Sequence, residues 1–182
     1  MSTGGARPPK QRVGTEQASA VLVVDTALGS FGVEVTAAGV RSVRLPGDRA
    51  VAPVHGDGAA ASIAERAATQ LAEYARGERE EFDLPLDWGG VDTMHRKVLE
   101  TLCTIAPYGH TVTYGELGAA AAIDDAREVG VRMATNPLPV VVPCHRVVGS
   151  DGLGGYGGGL ALKRRLLELE GALPPSFDLV GV

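Results

Sequence analysis

Cys144 and His145 stand side by side in the stretch LPVVVPCHRVVGSDGLGGYGGG, and their types suit them to covalent chemistry. Sulfur attacks as the thiolate, and an ordinary thiol with pKa about 8.5 needs a base or a positive charge beside it to ionise at neutral pH. His145 and Arg146 are candidates for both tasks. The run Val140-Val141-Val142 reads as a short buried extended segment that delivers the pair to the start of a Gly-rich loop. Taken alone, the pair also fits a bland reading, a small buried thiol beside a hydrogen-bonded structural imidazole. Cys103 has no histidine or cationic cluster near it in sequence and reads as a structural thiol next to a helical apolar stripe.

The elements that must position this pair fall into two halves. Residues 1–18 are rich in Gly, Pro and charge without periodicity and read as a disordered tail, and 173–182 as a second tail. In the N-terminal unit, 19–90, VLVVDT, FGVEVTAAG and VRSVRLP read as three strands of a small antiparallel sheet. Ser62-Ile63-Ala64-Glu65 has the form of a capping box, opening a helix along Ile63, Ala67, Leu71, Tyr74 and Ala75 that Gly77 ends. EREEFDLPLDWGG is an acidic connector, and nothing before it carries visible chemistry. The C-terminal unit, 91–172, is mostly helical. Asp92 caps a helix with Met94, Val98, Leu102 and Ile105 as its stripe, and Thr113-Tyr114-Gly115-Glu116 caps a short helix. Asp124 or Asp125 caps the next, which Asn136-Pro137 stops; two short helices joined tightly are a helix-turn-helix candidate. A last helix near 160–170 ends at Gly171. The fold class is therefore α+β.

Composition narrows the setting. The net charge is −5 and neither half is basic, which argues against a broad positive surface for nucleic acid and leaves any such contact local. There is no membrane-spanning apolar run and no signal-peptide pattern, and two cysteines fit a reducing compartment, so the expected location is cytoplasmic. His55 lacks partners at metal spacing, and no metal or cofactor is expected.

Asn136-Pro137, PCHRVVG, Gly155-Tyr156-Gly157-Gly158-Gly159 and LALKRRLLELEG, in that order, resemble the active-site half of the O6-alkylguanine-DNA alkyltransferases, the methylated-DNA-protein-cysteine methyltransferases. The resemblance extends upstream through PYGHTVTYGEL and, more loosely, to the N-terminal strands. It implies a ribonuclease H-like N-terminal unit and a winged-helix-like C-terminal one. It also implies DNA repair by a single, irreversible transfer of an alkyl group from O6 of guanine, or O4 of thymine, to Cys144. The damaged base is rotated out of duplex DNA for this, with the helix-turn-helix in the minor groove and the protein acting as a monomer.

The roles that come with the resemblance are specific. Cys144 is nucleophile and acceptor; His145 takes its proton through a water; Glu170 orients the imidazole. Tyr114 neutralises the departing guanine, Arg127 fills the gap left in the base stack, and Asn136 ties the turn before the active site to the recognition helix. Arg146, Val147, Tyr156 and Gly157 belong to the substrate-binding set, with Tyr156 and the following glycines as wall and floor of the base pocket. Three departures stand out: Met94 and Leu99 replace aromatic residues, Glu128, Val131 and Arg132 replace small ones after the finger arginine, and Gly157 replaces a serine of some members. Glu128 would repel phosphate unless it folds back to cap its own helix. The rival readings are a DNA-binding alkylation sensor that recruits partners, which would not need Cys144, and a cysteine hydrolase, which would turn over.

Overall fold

The computed structural model describes residues 19–49 and 53–175, so the expected N-terminal tail and all of the C-terminal tail beyond 175 lie outside the described residues. Three strands, β1 (Ser19–Thr26), β2 (Gly29–Thr36) and β3 (Gly39–Arg44), form an antiparallel sheet in sequence order. Alternation on β2 places Phe31, Val33 and Val35 on the buried face, each at most 1% exposed. Helix α1 (Gly58–Ala75) covers that face with Ile63, Ala64, Ala67, Leu71, Tyr74 and Ala75, the stripe expected from the 3.6-residue period. Gly77 follows the helix at φ +72° and its N–H bonds back to Tyr74 O, as its role as a terminator requires.

The start of α1 differs from expectation. It begins one turn before Ser62, with Asp57 at the N-cap and no side-chain cap bond, and Ser62 lies exposed inside the helix. Ala59, Ala60 and Ala61 are strong helix formers, and Ala60 is buried at 1% exposure, so propensity and packing carry the helix back past the capping-box pattern.

The connector adds itself to the sheet. Val40 N–H donates to Pro85 O and Asp87 N–H to Val40 O, and Asp87 accepts from Thr36 and Arg41. Gly39 is required there, because a Cβ would lie 2.4 Å from Pro85 O.

Beyond it, α2 (Thr93–Ile105) is capped by Asp92, which accepts from His95 N–H. Its buried face is His95, Val98, Leu99 and Leu102, and Met94 is 41% exposed, so the expected stripe is rotated by about one residue. His95 joins the buried face with its Nε2 hydrogen-bonded to Arg132 O, 2.8 Å away. Strand β4 (Val112–Thr113) leads into α3 (Tyr114–Ala121), where the Thr113 and Glu116 capping box is complete. Asp125, not Asp124, caps α4 (Ala126–Ala134). Gly118 lets the connection fold back closely on α3, since a Cβ there would lie 2.7 Å from Ile123 O, and it would meet Val129 of α4 at 3.4 Å. A 3-10 turn, Cys144–Arg146, runs into β5 (Val147–Val148), which pairs parallel with β4, and α5 (Gly159–Leu169) closes the chain.

The valines before Cys144 are not the extended segment expected. Val142 N–H bonds to Leu138 O at 2.7 Å, and Val140 sits at φ +74°, making a compact turn. Asn136 shapes it: its Oδ1 accepts from Leu138 N–H at 2.9 Å and its Nδ2 donates to Val142 O at 3.0 Å. A β-branched residue at positive φ costs on the order of 1–3 kcal/mol. Burial of Val140 and Val142, at 1% and 0% exposure, offsets it. Among the described residues no helix is long and apolar enough to cross a membrane.

Candidate active site

The β4 and β5 pairing is what assembles the site. Val112 pairs with Val147 and Thr113 with Val148, which brings the start of α3 beside the segment that follows the Cys144–Arg146 turn, and Tyr114 lines the same cavity as Cys144. Cys144 is a free thiol, 6% exposed, on the wall of a cavity of about 260 Å³ shared with Tyr114, Tyr156, Gly157, Gly130 and Met133. Four of the residues expected at the site, Cys144, Tyr114, Tyr156 and Gly157, thus meet in one hollow.

Behind the sulfur lies a buried ionic network. His145 is fully buried and its Nε2 is 2.7 Å from Glu170 Oε1, while its Nδ1 has no hydrogen-bond partner among the described residues. Glu170 is the residue that ends α5, and its carboxylate also accepts from Arg146 Nε at 2.8 Å and Nη2 at 3.1 Å. Burial alone would raise the Glu170 pKa, but hydrogen bonds from His145 and Arg146 and the Arg146 charge outweigh it and hold the carboxyl at about 2. A carboxylate has no proton to give, so Nε2 must be the donor and Nδ1 carries the lone pair.

Burial pushes the Cys144 thiol up, against a hydrogen bond from Asn136 and the charge of Lys163, which pull it down. Burial lowers His145, overcoming the contribution of Glu170. The resting pair is therefore a thiol and a neutral imidazole, which can pass a proton from sulfur to nitrogen once a reaction partner draws on the sulfur. Tyr114, raised by burial and by Cys144, keeps its proton and is a donor toward the cavity. Among the described residues no group of three or more His, Cys, Asp and Glu could hold a metal ion.

Comparison with known proteins agrees with this geometry. A family model described as 6-O-methylguanine DNA methyltransferase, DNA binding domain, matches residues 93–172. The methylated-DNA-protein-cysteine methyltransferase of Mycobacterium tuberculosis is 49% identical over 115 residues, covering 60% of this chain and 67% of that protein. The protein of the same name from Methanopyrus kandleri is 51% identical over 104 residues, covering 57% and 78%. The chain belongs to the methylated-DNA-protein-cysteine methyltransferase family. The crystal structure of the Mycobacterium tuberculosis O6-methylguanine methyltransferase resembles it with TM-score 0.70 at 34% identity, covering 87% of this chain and 96% of that one. A structure of that organism's protein in complex with DNA gives 0.69 at 37% identity, covering 82% and 91%.

Two residues expected in the substrate-binding set of this methyltransferase family member are turned elsewhere. Arg146 is 6% exposed and committed to Glu170 and to Ala106 O at 2.7 Å, with its guanidinium over the Tyr108 ring. The Val147 side chain is fully buried, and its carbonyl accepts from Lys163 Nζ at 2.6 Å. Both hold the active-site turn in place and neither side chain lines the cavity. Arg127 is exposed on the first turn of α4. Glu128 does not fold back onto its helix; it accepts from Arg132 Nη2 at 2.6 Å, one turn on. The large residues Glu128 and Arg132 thereby pair on one flank of α4, and Gly130 and Ala134 face the cavity instead.

Sequence reasoning missed Lys163 and Tyr74. Lys163 is fully buried, with Nζ donating to the carbonyls of Val147, Leu153 and Gly155, so it staples the Gly-rich loop to the active-site turn. Burial pushes its pKa down to about 8, with the Cys144 sulfur acting the other way. The only signal for it was a lysine at the phase of buried leucines in LALKRRLLELEG. Tyr74 was read as core, and its hydroxyl in fact donates to Glu170 Oε1 at 2.6 Å.

Proposed function

We propose that the protein repairs DNA by transferring an alkyl group from O6 of guanine to Cys144, once per molecule and irreversibly. The observation that carries this reading is the free Cys144 thiol on the cavity wall, followed by His145 with Nε2 held by Glu170 and Nδ1 unpartnered. In the proposed reaction the Cys144 proton passes through a water to His145 Nδ1. The thiolate attacks the alkyl carbon, an S–C bond forms and the C–O6 bond breaks, and the electron pair leaves with guanine. Tyr114 neutralises the departing guanine by giving it a proton, and the proton held by His145 returns through water to the Tyr114 oxygen, so that the sulfur proton ends on guanine and both side chains are again neutral. The S–C bond of the thioether is not activated for hydrolysis, so the alkylated protein is the end product. Alkylated O4 of thymine presents the same chemistry and is a second substrate in this reading.

A buried thiol cannot reach a base within a stacked duplex, so the reading includes rotation of the nucleotide out of the helix. Helices α3 and α4 serve as a helix-turn-helix in a winged-helix-like unit, with α4 in the minor groove and Arg127 in the vacated stack. Asn136 ties the active-site turn to the end of that helix. The N-terminal sheet and α1 are read as a ribonuclease H-like unit, and the protein as a cytoplasmic monomer.

Incubation with an oligonucleotide containing O6-methylguanine should add one methyl mass per chain, on the peptide bearing Cys144. Modification of Cys103, or catalytic release of product beyond one equivalent, would overturn the reading, the latter in favour of a hydrolase. Recognition of the oligonucleotide without any mass gain would favour a sensor.

A further inference from the structure

Helix α1 sends one polar group into the active centre. Tyr74 is 1% exposed, with its ring against Phe82 at 5.4 Å between centroids and edge-on to Tyr108 at 6.4 Å. Its hydroxyl donates to Glu170 Oε1 at 2.6 Å and lies 3.4 Å from His145 Nε2. We propose that Tyr74 is a positioning residue of the transfer reaction: by donating to Glu170 Oε1 it fixes the carboxylate that keeps the His145 proton on Nε2 and the lone pair on Nδ1. The kinetic part of this proposal rests on the alkyl-transfer reading, and the structural part stands without it.

The geometry argues for the hydroxyl and not only for the ring. Packing against Phe82 and Tyr108 is satisfied by a phenylalanine, and a buried hydroxyl costs free energy unless it is hydrogen-bonded. Glu170 Oε1 receives Tyr74 Oη, His145 Nε2 and Arg146 Nη2, so its position is set by three donors from two elements, α1 and the 3-10 turn. Burial and the Glu170 charge raise Tyr74 well above the ordinary phenol value, so it remains a donor throughout the physiological range. With its proton committed to Glu170, its oxygen presents lone pairs toward Nε2. The nitrogen then faces two acceptors, and a lone pair there would be repelled by both.

The groups that face His145 are Glu170 and Lys163 from α5, Arg146 and Cys144 from the 3-10 turn, Tyr74 from α1, and the Tyr156 ring edge-on at 6.4 Å. Removing the Tyr74 hydroxyl takes away both a donor that competes with the imidazole for Oε1, at 2.6 Å, and an acceptor 3.4 Å from Nε2; the shorter bond to the charged carboxylate is the stronger, so its loss decides the sign. The carboxylate then stabilises the protonated imidazole more, and the His145 midpoint rises.

The test is Tyr74→Phe in the full chain, followed by 15N NMR of the histidine ring, with the His145 signal assigned by its loss in His145→Gln. The His145 midpoint should move up by a few tenths of a pH unit to about one unit, with the wild type reading as the Nε2-protonated tautomer. An unmoved or lowered midpoint overturns the proposal. In the kinetic arm, transfer from free O6-methylguanine should slow several-fold below pH 7, and Tyr74→Phe should have no further effect in a Glu170→Gln background. An equal effect in that background also overturns it. If the wild type transfers nothing, the alkyl-transfer reading fails, and the NMR titration still decides for or against Tyr74.

Discussion

Gly157 leaves an opening in the cavity wall, since a Cβ built on it meets nothing within 4 Å. It is also free of the left-handed conformation that would exclude other residues, in contrast to Gly154 at φ +68°. Gly157→Ser should therefore fold with stability within about 0.5 kcal/mol of the parent, measured by denaturant unfolding. A new hydroxyl at the cavity adds a hydrogen bond of roughly 0.5–1.5 kcal/mol, which corresponds to a 2- to 10-fold faster transfer from a free alkylated base. An unchanged rate would show that the hydroxyl turns to solvent. Val140 lies at the other extreme, with a side chain in a conformation most residues avoid, kept there by burial and by the two Asn136 bonds.

At the scale of elements, α4 separates two tasks on two faces. Gly130 and Ala134, four residues apart, border the cavity, and Glu128 and Arg132 neutralise each other on the flank, with Asp92 3.4 Å from Arg132 Nη1. The cation this helix offers without such a partner among the described residues is Arg127, whose backbone N–H donates to the Asp125 cap. Arg127→Ala should slow transfer from duplex DNA at least 10-fold more than transfer from a free alkylated guanine, because only the duplex requires a nucleotide to leave the stack. Parallel rate measurements on the two substrates check this, and equal losses would make Arg127 structural.

At the scale of the molecule, the two halves share one active centre. Val43 N–H donates to Pro137 O beside the active-site turn, Arg165 Nη2 donates to Ala27 O, and Tyr74 reaches Glu170. The buried Glu170 makes this junction sensitive to acid. Its folded pKa of about 2 lies below the unfolded value of about 4.3, so its contribution is present above pH 4.3 and is lost as pH falls toward 2. A shift of roughly two units corresponds to about 3 kcal/mol. Unfolding free energies measured between pH 5 and pH 2.5 should fall more steeply for the wild type than for Glu170→Gln, by roughly 2–3 kcal/mol over that window. Parallel slopes would mean that Glu170 is not held as an anion.

What the sequence by itself determined was local. The period-2 strands, the 3.6-residue stripe of α1, the Asp92 and Thr113 caps and the Gly77 stop follow from short-range rules that depend on few neighbours. The grouping of Cys144, His145 and the distant Glu170 was legible because PCHR and the final helix carry a family pattern. Tertiary structure decided what depends on partners far apart in the chain. Arg146 was turned inward by Glu170, His95 joined the buried face of α2 with its bond to Arg132 O, and the valine run was bent into a turn by Asn136. Lys163 and Tyr74 became polar members of the site only because α5 carries Lys163 to the carbonyls of Val147, Leu153 and Gly155 and α1 carries Tyr74 to the Glu170 carboxylate. A buried polar group is stabilised by partners whose positions no local pattern specifies, and for that reason these residues could be read from sequence only as core.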